Sequence, residues 1–496
     1  LSTDSSTTKE GALRLKRHLD GLATDNLGEI VRPIIKKVRE HIIPLATKLT
    51  RTTNLPTGID KQEEKYAERV EWPRSRWVVS IFREQCDAYQ VSNEGSPYKF
   101  DLLSKLSHPF RPSTKYEVSS ESDRVKDNSK KNGGLPEVKS KGEMLAGSLL
   151  DLEQLKADPR LERTRSIIAG GRTQQSQLGA EKVRLIMMVD MTSFLRGVEA
   201  FDSALFETDN AVDPRLDVFL FHTEPSKFKE WYSNYESNVN QWVNMDWSNF
   251  DQSVEAWELR NLVDTFAPEY QLKELEKEWV CKASILTPWG EVTRNGGMPS
   301  GWIFTNTGDS HANVQDSGEA FHRYKLDKYI KCLSVNGDDI TFGLTTKLTE
   351  ENLSKIESAS RRTLNVSKVE LGDYVWNSKW VICKDSSGEV IMTRPVWRII
   401  NASMFAERQK LSIYGSKEYV ELALASQLTT IEEHPFGDKI IEAYARKVTK
   451  YHISTMTDDQ LAEPLQAYVD AHNWQNIDAQ GLKESIEKSY YYQVGS

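Results

Sequence analysis

Two groups of carboxylates give this chain its clearest chemical signal. Asp338 and Asp339 stand side by side in Ser334-Val335-Asn336-Gly337-Asp338-Asp339-Ile340, and Asp246 precedes Asp251 in Asp246-Trp247-Ser248-Asn249-Phe250-Asp251. Adjacent acids repel unless something offsets their charge. A divalent cation does so, and Mg²⁺ is characteristically held by one or two carboxylates together with substrate phosphates. Between the two groups lies Gly296-Gly297-Met298-Pro299-Ser300-Gly301, followed by Thr305, Asn306 and Asp309. Thr305 and Asp309 are four apart and share one face if that stretch is helical.

The elements that must position these groups are legible in outline. Tyr329 to Val335 is rich in β-formers and Ile340-Thr341-Phe342 resumes the strand. Asn336-Gly337 between them predicts a type I′ hairpin with both acids at its tip, because each turn residue tolerates positive φ. Gln241 to Asp246 predicts a short strand ending in an acid. A helix is expected to follow, carrying Val254, Trp257, Leu262 or Val263, and Phe266 at helical spacing and stopped by Pro268. The Gly/Pro/Ser loop should open into a second helix running toward Tyr324. Taken singly, these features have plainer explanations: a solvated turn at Gly337-Asp338-Asp339, a helix N-cap at Asp251, and a surface acid at Asp246.

Their order is more specific. Asp-x4-Asp, then Ser-Gly-x3-Thr, then Gly-Asp-Asp resembles motifs A, B and C of viral RNA-dependent RNA polymerases, and the wording from Asp246 to Asp251 is most similar to the double-stranded RNA viruses of the picobirnavirus and partitivirus type. The resemblance covers roughly Arg172 to Trp380. It implies an α+β right-hand polymerase with an antiparallel palm sheet, fingers, a helical thumb and an encircled active site. It further implies that Asp246 and Asp338 ligate Mg²⁺, with Mn²⁺ as the other candidate, and that Asp339 supports them. Gly171-Arg172-Thr173 and Lys182-Val183-Arg184-Leu185-Ile186 resemble motif F, so Arg172, Lys182 and Arg184 would neutralise the triphosphate. Lys182 and Arg184 are two apart, and on a strand they face the same way. Asp251, Thr305 and Asn306 would read the ribose, and Ser300 and Gly301 would hinge motif B. Leu364-Asn365-Val366-Ser367-Lys368 resembles motif D, whose lysine is proposed as a proton donor. Trp376 to Trp380 occupies the place of the motif E hairpin. Asp309 departs from the pattern: many positive-strand relatives carry Asn there, and an ionised Asp accepts hydrogen bonds but donates none.

The same resemblance divides the chain into an N-terminal region with fingertips (1–165), fingers (166–240), the motif A part of the palm (241–265), a fingers–palm connection (266–295), the rest of the palm (296–393), and the thumb with a C-terminal tail (394–496). RNA template and product, nucleoside triphosphates and a viral capsid protein are the implied partners. The implied location is the host cytoplasm, inside or attached to the virion. Two rival readings stay open. A reverse-transcriptase-like DNA polymerase usually has an aromatic residue two before its Asp pair, where this chain has Gly337 directly before the pair and Asn336 two before Asp338. A noncatalytic RNA-binding or capsid-associated protein of the same fold would not need the acid set.

Composition is compatible with this. A chain of 496 residues can hold several subdomains around one core. The net charge of -9 argues against a nonspecific nucleic-acid coat but not against basic groups lining an internal channel. Cys86, Cys281, Cys332 and Cys383 are scattered, without zinc-ligand spacing or a disulfide framework. No apolar run reaches the length of a spanning helix, and no signal peptide is expected. The chain opens on Leu1 rather than Met, so its natural start is expected upstream. Glu10 to Arg51 reads as helical, with basic clusters at Arg14–Arg17 and Lys36–Arg39. Pro73 to Val79 reads as the approach to a strand, and Ser119 to Gly142 as a loop. Tyr419 to Leu428 and Lys439 to Val448 read as helices, and Tyr490-Tyr491-Tyr492 as a packing tail.

Overall fold

The computed structural model describes residues 31–449 apart from 71, 73–77, 91, 107–109, 129–139, 163–165, 178, 210–215, 219–224, 405–420, 422–423 and 426. The Arg14–Arg17 cluster and Tyr490–Tyr492 therefore lie outside the described residues, as does most of Tyr419 to Leu428.

A five-stranded sheet forms the centre, in the order Leu216–Val218, Ile330–Asn336, Asp339–Leu344, Gln241–Met245 and Glu370–Gly372. All its pairings are antiparallel except the short edge strand Leu216–Val218, which runs parallel to Ile330–Asn336. That edge strand comes from the span expected as fingers. The sheet is buried on both faces. Val243, Met245, Leu333, Val335, Ile340 and Phe342 face the main core, while Trp242 and Cys332 face a second cluster with Phe228, Trp231, Val375 and Trp380. This is the period-two alternation of a strand applied to two apolar layers. Gly343 sits where the sheet packs closely: a Cβ there would lie 2.7 Å from Cys332 Sγ and 2.8 Å from the Trp242 ring.

Beside the central sheet lies a four-stranded sheet, ordered Val183–Met188, Ile167–Thr173, Ile285–Thr287 and Gly290–Val292. A third, three-stranded sheet comprises Val375–Asn377, Trp380–Lys384 and Val390–Thr393. At the C-terminal end, Val396–Met404 and Gly437–Lys447 are helical. Ile34, Val38, Ile42 and Ala46 recur every fourth residue and pack with Trp397, Ile400, Ile440 and Tyr444 in one core. The N-terminal helices thus belong to the same packed unit as the C-terminal ones. Buried Glu63 reinforces this by accepting from the backbone N–H groups of Val396 and Trp397, where a helix N-terminus favours a carboxylate. Lys36, Lys37 and Arg39 are exposed, as solvated helix faces are.

Two local expectations need correction. Val79 begins a helix, Val79–Asp87, and not a strand; its apolar positions Phe82 and Cys86 are four apart and both buried. The stretch 119–142 is not wholly loop. It contains the helix Asp123–Asn128, and Lys141 starts another, Lys141–Ala157, with Ser140 and Glu143 forming a capping box. No described helix is long and apolar enough to cross a membrane.

Candidate active site

Strand register brings the separated acids together. Met245 pairs with Ile340, so continuing the antiparallel ladder by one residue sets Asp246 opposite Asp339, with Asp338 next at the hairpin tip. The turn itself is shifted by one residue from the sequence reading. Asn336 pairs with Asp339, leaving Gly337 and Asp338 as the two loop residues. Only Gly337, at φ 63°, has positive φ there. Glycine at the first loop position is the preference of a type II′ turn, not type I′.

The hairpin tip is cradled by the helix Thr305–Arg323, which is buried along most of its length although much of it is polar. Buried polar groups must find partners, and here the partners are the hairpin. Asn306 Nδ2 donates to Asn336 Oδ1 at 2.9 Å. The Gly337 N–H donates to Ser310 Oγ at 2.8 Å. Asn313 Nδ2 donates to the carbonyls of Gly337 at 3.0 Å and Asp338 at 2.9 Å. Asn313 is fixed in turn by Trp247 Nε1 and Ser317 Oγ, which donate to its Oδ1 at 2.9 and 3.2 Å. Asn306, Ser310, Asn313 and Ser317 follow helical spacing and form one stripe. Sequence reasoning missed Ser310 and Asn313; the repeating polar positions at i, i+4 and i+7 were the signal. Asn306, expected at the ribose, has its amide engaged by the hairpin.

Asn336 also reaches the following hairpin, donating through Nδ2 to Ser378 Oγ at 2.8 Å. Ser378 and Lys379 form its two-residue turn, at φ 51° and 65°. The motif E candidate is therefore a hairpin tied directly to the acidic one. Lys368 is an exposed lysine, and its Nζ lies 3.1 Å from Asp246 Oδ2. The local chain explains this, because Asn365 N–H donates to the Asp246 carbonyl at 2.8 Å and Trp247 bridges to Leu364.

The motif B loop is anchored elsewhere, on the four-stranded sheet. Met187 N–H donates to Ser300 Oγ at 3.2 Å, and a Cβ on Gly301 would lie 2.1 Å from the Met187 carbonyl, so only glycine permits this approach. Buried Arg294, also missed from sequence, holds the carbonyls of Ala283, Gly296 and Gly297. Thr305 turns its hydroxyl back onto the carbonyls of Pro299 and Trp302. Asp251 is not a helix N-cap. It lies within a short helix, Phe250–Ser253, entered through Asn249 in the left-handed region. Its carbonyl accepts from Met298 N–H at 2.7 Å. The expected continuous helix is broken at Val254, and a separate helix runs Ala256–Phe266.

Lys182, directly before the strand Val183–Met188, and Arg184 on it are both exposed, while Val183 and Leu185 are buried. Arg172 pairs directly with Arg184 across the ladder. Opposed residues of an antiparallel ladder share one face of the sheet, so the two basic side chains emerge together. The field of Arg184 reaches Asp251 and Asp338, favouring their charged forms. Asp338 is open to solvent on one side yet has protein around it. That enclosure, then Asp339, then Asp251, pushes its carboxyl up to about 7, against Arg184 and Lys379. Burial raises Asp309 well above the ordinary carboxylate range, with the charge of Asp251 next in importance. Asp251 is raised chiefly by burial, against the charge of Arg184.

Among the described residues no three His, Cys, Asp or Glu side chains converge tightly enough to hold a metal as they stand. The donor set still fits one. Asp246 is paired with the exposed Lys368, and after burial it is Asp339 and then Asp251 that raise the Asp338 carboxyl, so carboxylates crowd the hairpin tip. A bound divalent cation would offset that crowding.

Comparison with known proteins adds the following. Residues 212–367 match the family described as viral RNA-dependent RNA polymerase. The fold is similar to the crystal structure of the RNA-dependent RNA polymerase of a human picobirnavirus, at TM-score 0.65 and 13% identity over 92% of each chain. It is also similar to the insertion-loop deletion mutant of that polymerase, at TM-score 0.64 and 13% identity, covering 92% of this chain and 91% of the other. No curated protein sequence matches.

Proposed function

We propose that this chain, which has the fold of a viral RNA-dependent RNA polymerase and matches that family's model over residues 212–367, is such a polymerase and replicates and transcribes a viral RNA genome by nucleotidyl transfer. The observation that carries this is the register that sets Asp246 opposite the Asp338-Asp339 tip, with the hairpin backbone held by the helix Thr305–Arg323. Asp246 and Asp338 are the proposed ligands of Mg²⁺ or Mn²⁺, supported by Asp339. Such ions, when bound, stabilise charge on the transferring phosphoryl group and lower the pKa of the attacking hydroxyl.

The chain's own residues supply position and charge. Arg172, Lys182 and Arg184 receive the triphosphate on one face of the four-stranded sheet. Asp251 accepts from the ribose, while Thr305 fixes the start of the motif B helix and Asn306 clamps the hairpin. Ser300 and Gly301 seat the motif B loop against the phosphate-binding strand. The RNA 3′-oxygen attacks the α-phosphorus in line as the bond to pyrophosphate breaks. Lys368, already beside Asp246, is placed to give its proton to the departing pyrophosphate. RNA and nucleoside triphosphates are the substrates. We further propose a viral capsid protein as partner, a double-stranded RNA genome, and a host-cytoplasmic or virion location, on the resemblance of the motif wording to the picobirnavirus type.

Primer-independent synthesis on a short single-stranded RNA, with Mg²⁺ and Mn²⁺ compared, is the test. Wild-type protein should yield RNA product and Asp338→Ala none, while the variant still binds RNA. Near-normal synthesis by Asp338→Ala would overturn the metal assignment. Absence of product from wild-type protein with both metals would favour the noncatalytic reading, and product only from deoxynucleotides the reverse-transcriptase reading.

A further inference from the structure

Arg362 is buried and serves two buried acids at once. Its Nη2 donates to Glu258 Oε2 at 2.7 Å, its Nη1 lies 3.2 Å from Asp316 Oδ2, and its guanidinium lies over the Phe250 ring at 4.5 Å. Glu258 stands on the helix Ala256–Phe266, Asp316 on the helix Thr305–Arg323, and Phe250 on the short helix that carries Asp251. We infer that Arg362 is a positioning residue for Lys368. It pins the start of the segment that lays this lysine against Asp246, and so sets where the proton donor meets the departing pyrophosphate.

The chain between the two residues is short and tied at each step. Asp316 Oδ1 accepts from the Arg361 N–H at 2.9 Å and Asp316 Oδ2 from Ser360 Oγ at 2.6 Å, so one acid holds both the residues before Arg362 and Arg362 itself. Directly after it, the Thr363 carbonyl accepts from the Ser248 N–H at 3.0 Å, Leu364 bridges to Trp247, and the Asn365 N–H donates to the Asp246 carbonyl at 2.8 Å. One short turn, Val366–Lys368, then brings Lys368 Nζ to 3.1 Å from Asp246 Oδ2. The Lys368 side chain is 54% exposed. A flexible, solvated lysine keeps its place only if the backbone carrying it does. A buried ion cluster is a weak source of stability, because desolvation offsets most of the attraction, and its best-attested use is to fix one arrangement among several. The arrangement fixed here is that of 360–365 against both helices. Lysine could not do this in place of Arg362, since a guanidinium fork meets two acids from one position and an ammonium is a single point charge.

The inference rests on the proposed proton transfer from Lys368 for its consequence, and a double-mutant cycle tests the link. Lys368→Ala should lower kcat for single-nucleotide extension by about 10²-fold with little change in KM, as loss of a general acid does. Arg362→Lys should lower kcat by about tenfold, the worth of one charge-assisted hydrogen bond. The double variant should be no more than about twofold slower than Lys368→Ala alone, because a misplaced lysine no longer contributes. A merely structural Arg362 would give losses that multiply to about 10³-fold, and that result would overturn the inference. Asp316→Asn is the milder second variant, since it leaves Arg362 paired with Glu258; its loss should vanish in the Lys368→Ala background in the same way. Hydrogen–deuterium exchange of the full chain without nucleotide reads placement independently of synthesis. In both Arg362→Lys and Asp316→Asn, amides of 363–368 should exchange about tenfold faster, while the strands Ile330–Asn336 and Asp339–Leu344 stay within about twofold. Unchanged exchange in 363–368, or an equal rise in those strands, would also overturn it. If wild-type protein makes no RNA, or Lys368→Ala extends normally, the polymerase or proton-donor reading fails, and the exchange alone then decides whether Arg362 places Lys368.

Discussion

Asn313 offers the sharpest test of how the acidic hairpin is held. It is fully buried, and its side chain makes four hydrogen bonds. Two go to the carbonyls of Gly337 and Asp338, one comes from the Trp247 indole and one from Ser317. Asn313→Ala removes them all. The Ser317 hydroxyl can rotate to another acceptor, but two carbonyls and an indole N–H are left without a partner. At about 1 kcal/mol for each group left unmade, the fold should lose about 3 kcal/mol. Synthesis should suffer further, since a displacement of about 1 Å at reacting groups costs about 10²-fold in rate. Ser317→Ala, which removes a single donor, should cost about 1 kcal/mol or less. Urea unfolding followed by tryptophan fluorescence reads the first effect, and single-nucleotide extension well below the unfolding range reads the second. Wild-type unfolding and wild-type extension by Asn313→Ala would refute the cradle.

Three further outcomes are expected. Arg184→Ala should raise the KM for nucleotides more than it lowers kcat, because the guanidinium faces the site from an exposed strand position; unchanged KM with reduced thermal stability would make Arg184 structural. Asn306→Ala should lower kcat for ribo- and deoxyribonucleotides alike, since its amide holds Asn336; a change confined to ribonucleotides would return it to the ribose. Metal-free protein should lose stability as pH rises from about 4 to about 7, because folded Asp338 keeps a proton until about 7 that the unfolded chain gives up near the ordinary carboxylate value of 3.8. Mg²⁺ should therefore raise the melting temperature more at about pH 8 than at about pH 5, and an equal increment at both would contradict the assignment.

Much of this site is legible in the sequence because its carriers are local. β-Formers flank Gly337, and Asp246 ends an apolar strand, so both elements follow from short-range pattern. The turn is displaced because Asn336 is held within its strand by Asn306 on one side and Ser378 on the other. The helix expected across Val254 breaks since periodicity records which residues are buried, not whether the backbone between them is continuous. Lys368 and Asp246 meet only through tertiary pairing of 246–248 with 363–365. Ser310, Asn313 and Ser317 look like an ordinary solvated face until the helix is buried against the hairpin.

That burial reveals how the work is divided. The acids proposed to hold metal are mounted on the central sheet, through Asp246 and the hairpin after Asn336. The groups proposed to hold the nucleotide are mounted on the neighbouring sheet, because Arg184 lies on Val183–Met188 and Met187 of that strand anchors Ser300 and Gly301. Asp251 joins this second unit through its carbonyl to Met298. The helix Thr305–Arg323 belongs to both: it begins in the loop that Met187 anchors, and its Asn306, Ser310 and Asn313 grip the acidic hairpin. Thr305, Asn306, Ser310 and Asn313 are polar because each meets a backbone or side-chain amide group that no apolar residue could satisfy. The spacing between nucleotide and metal acids is therefore set by one helix, whose polar residues are explained by what they hold.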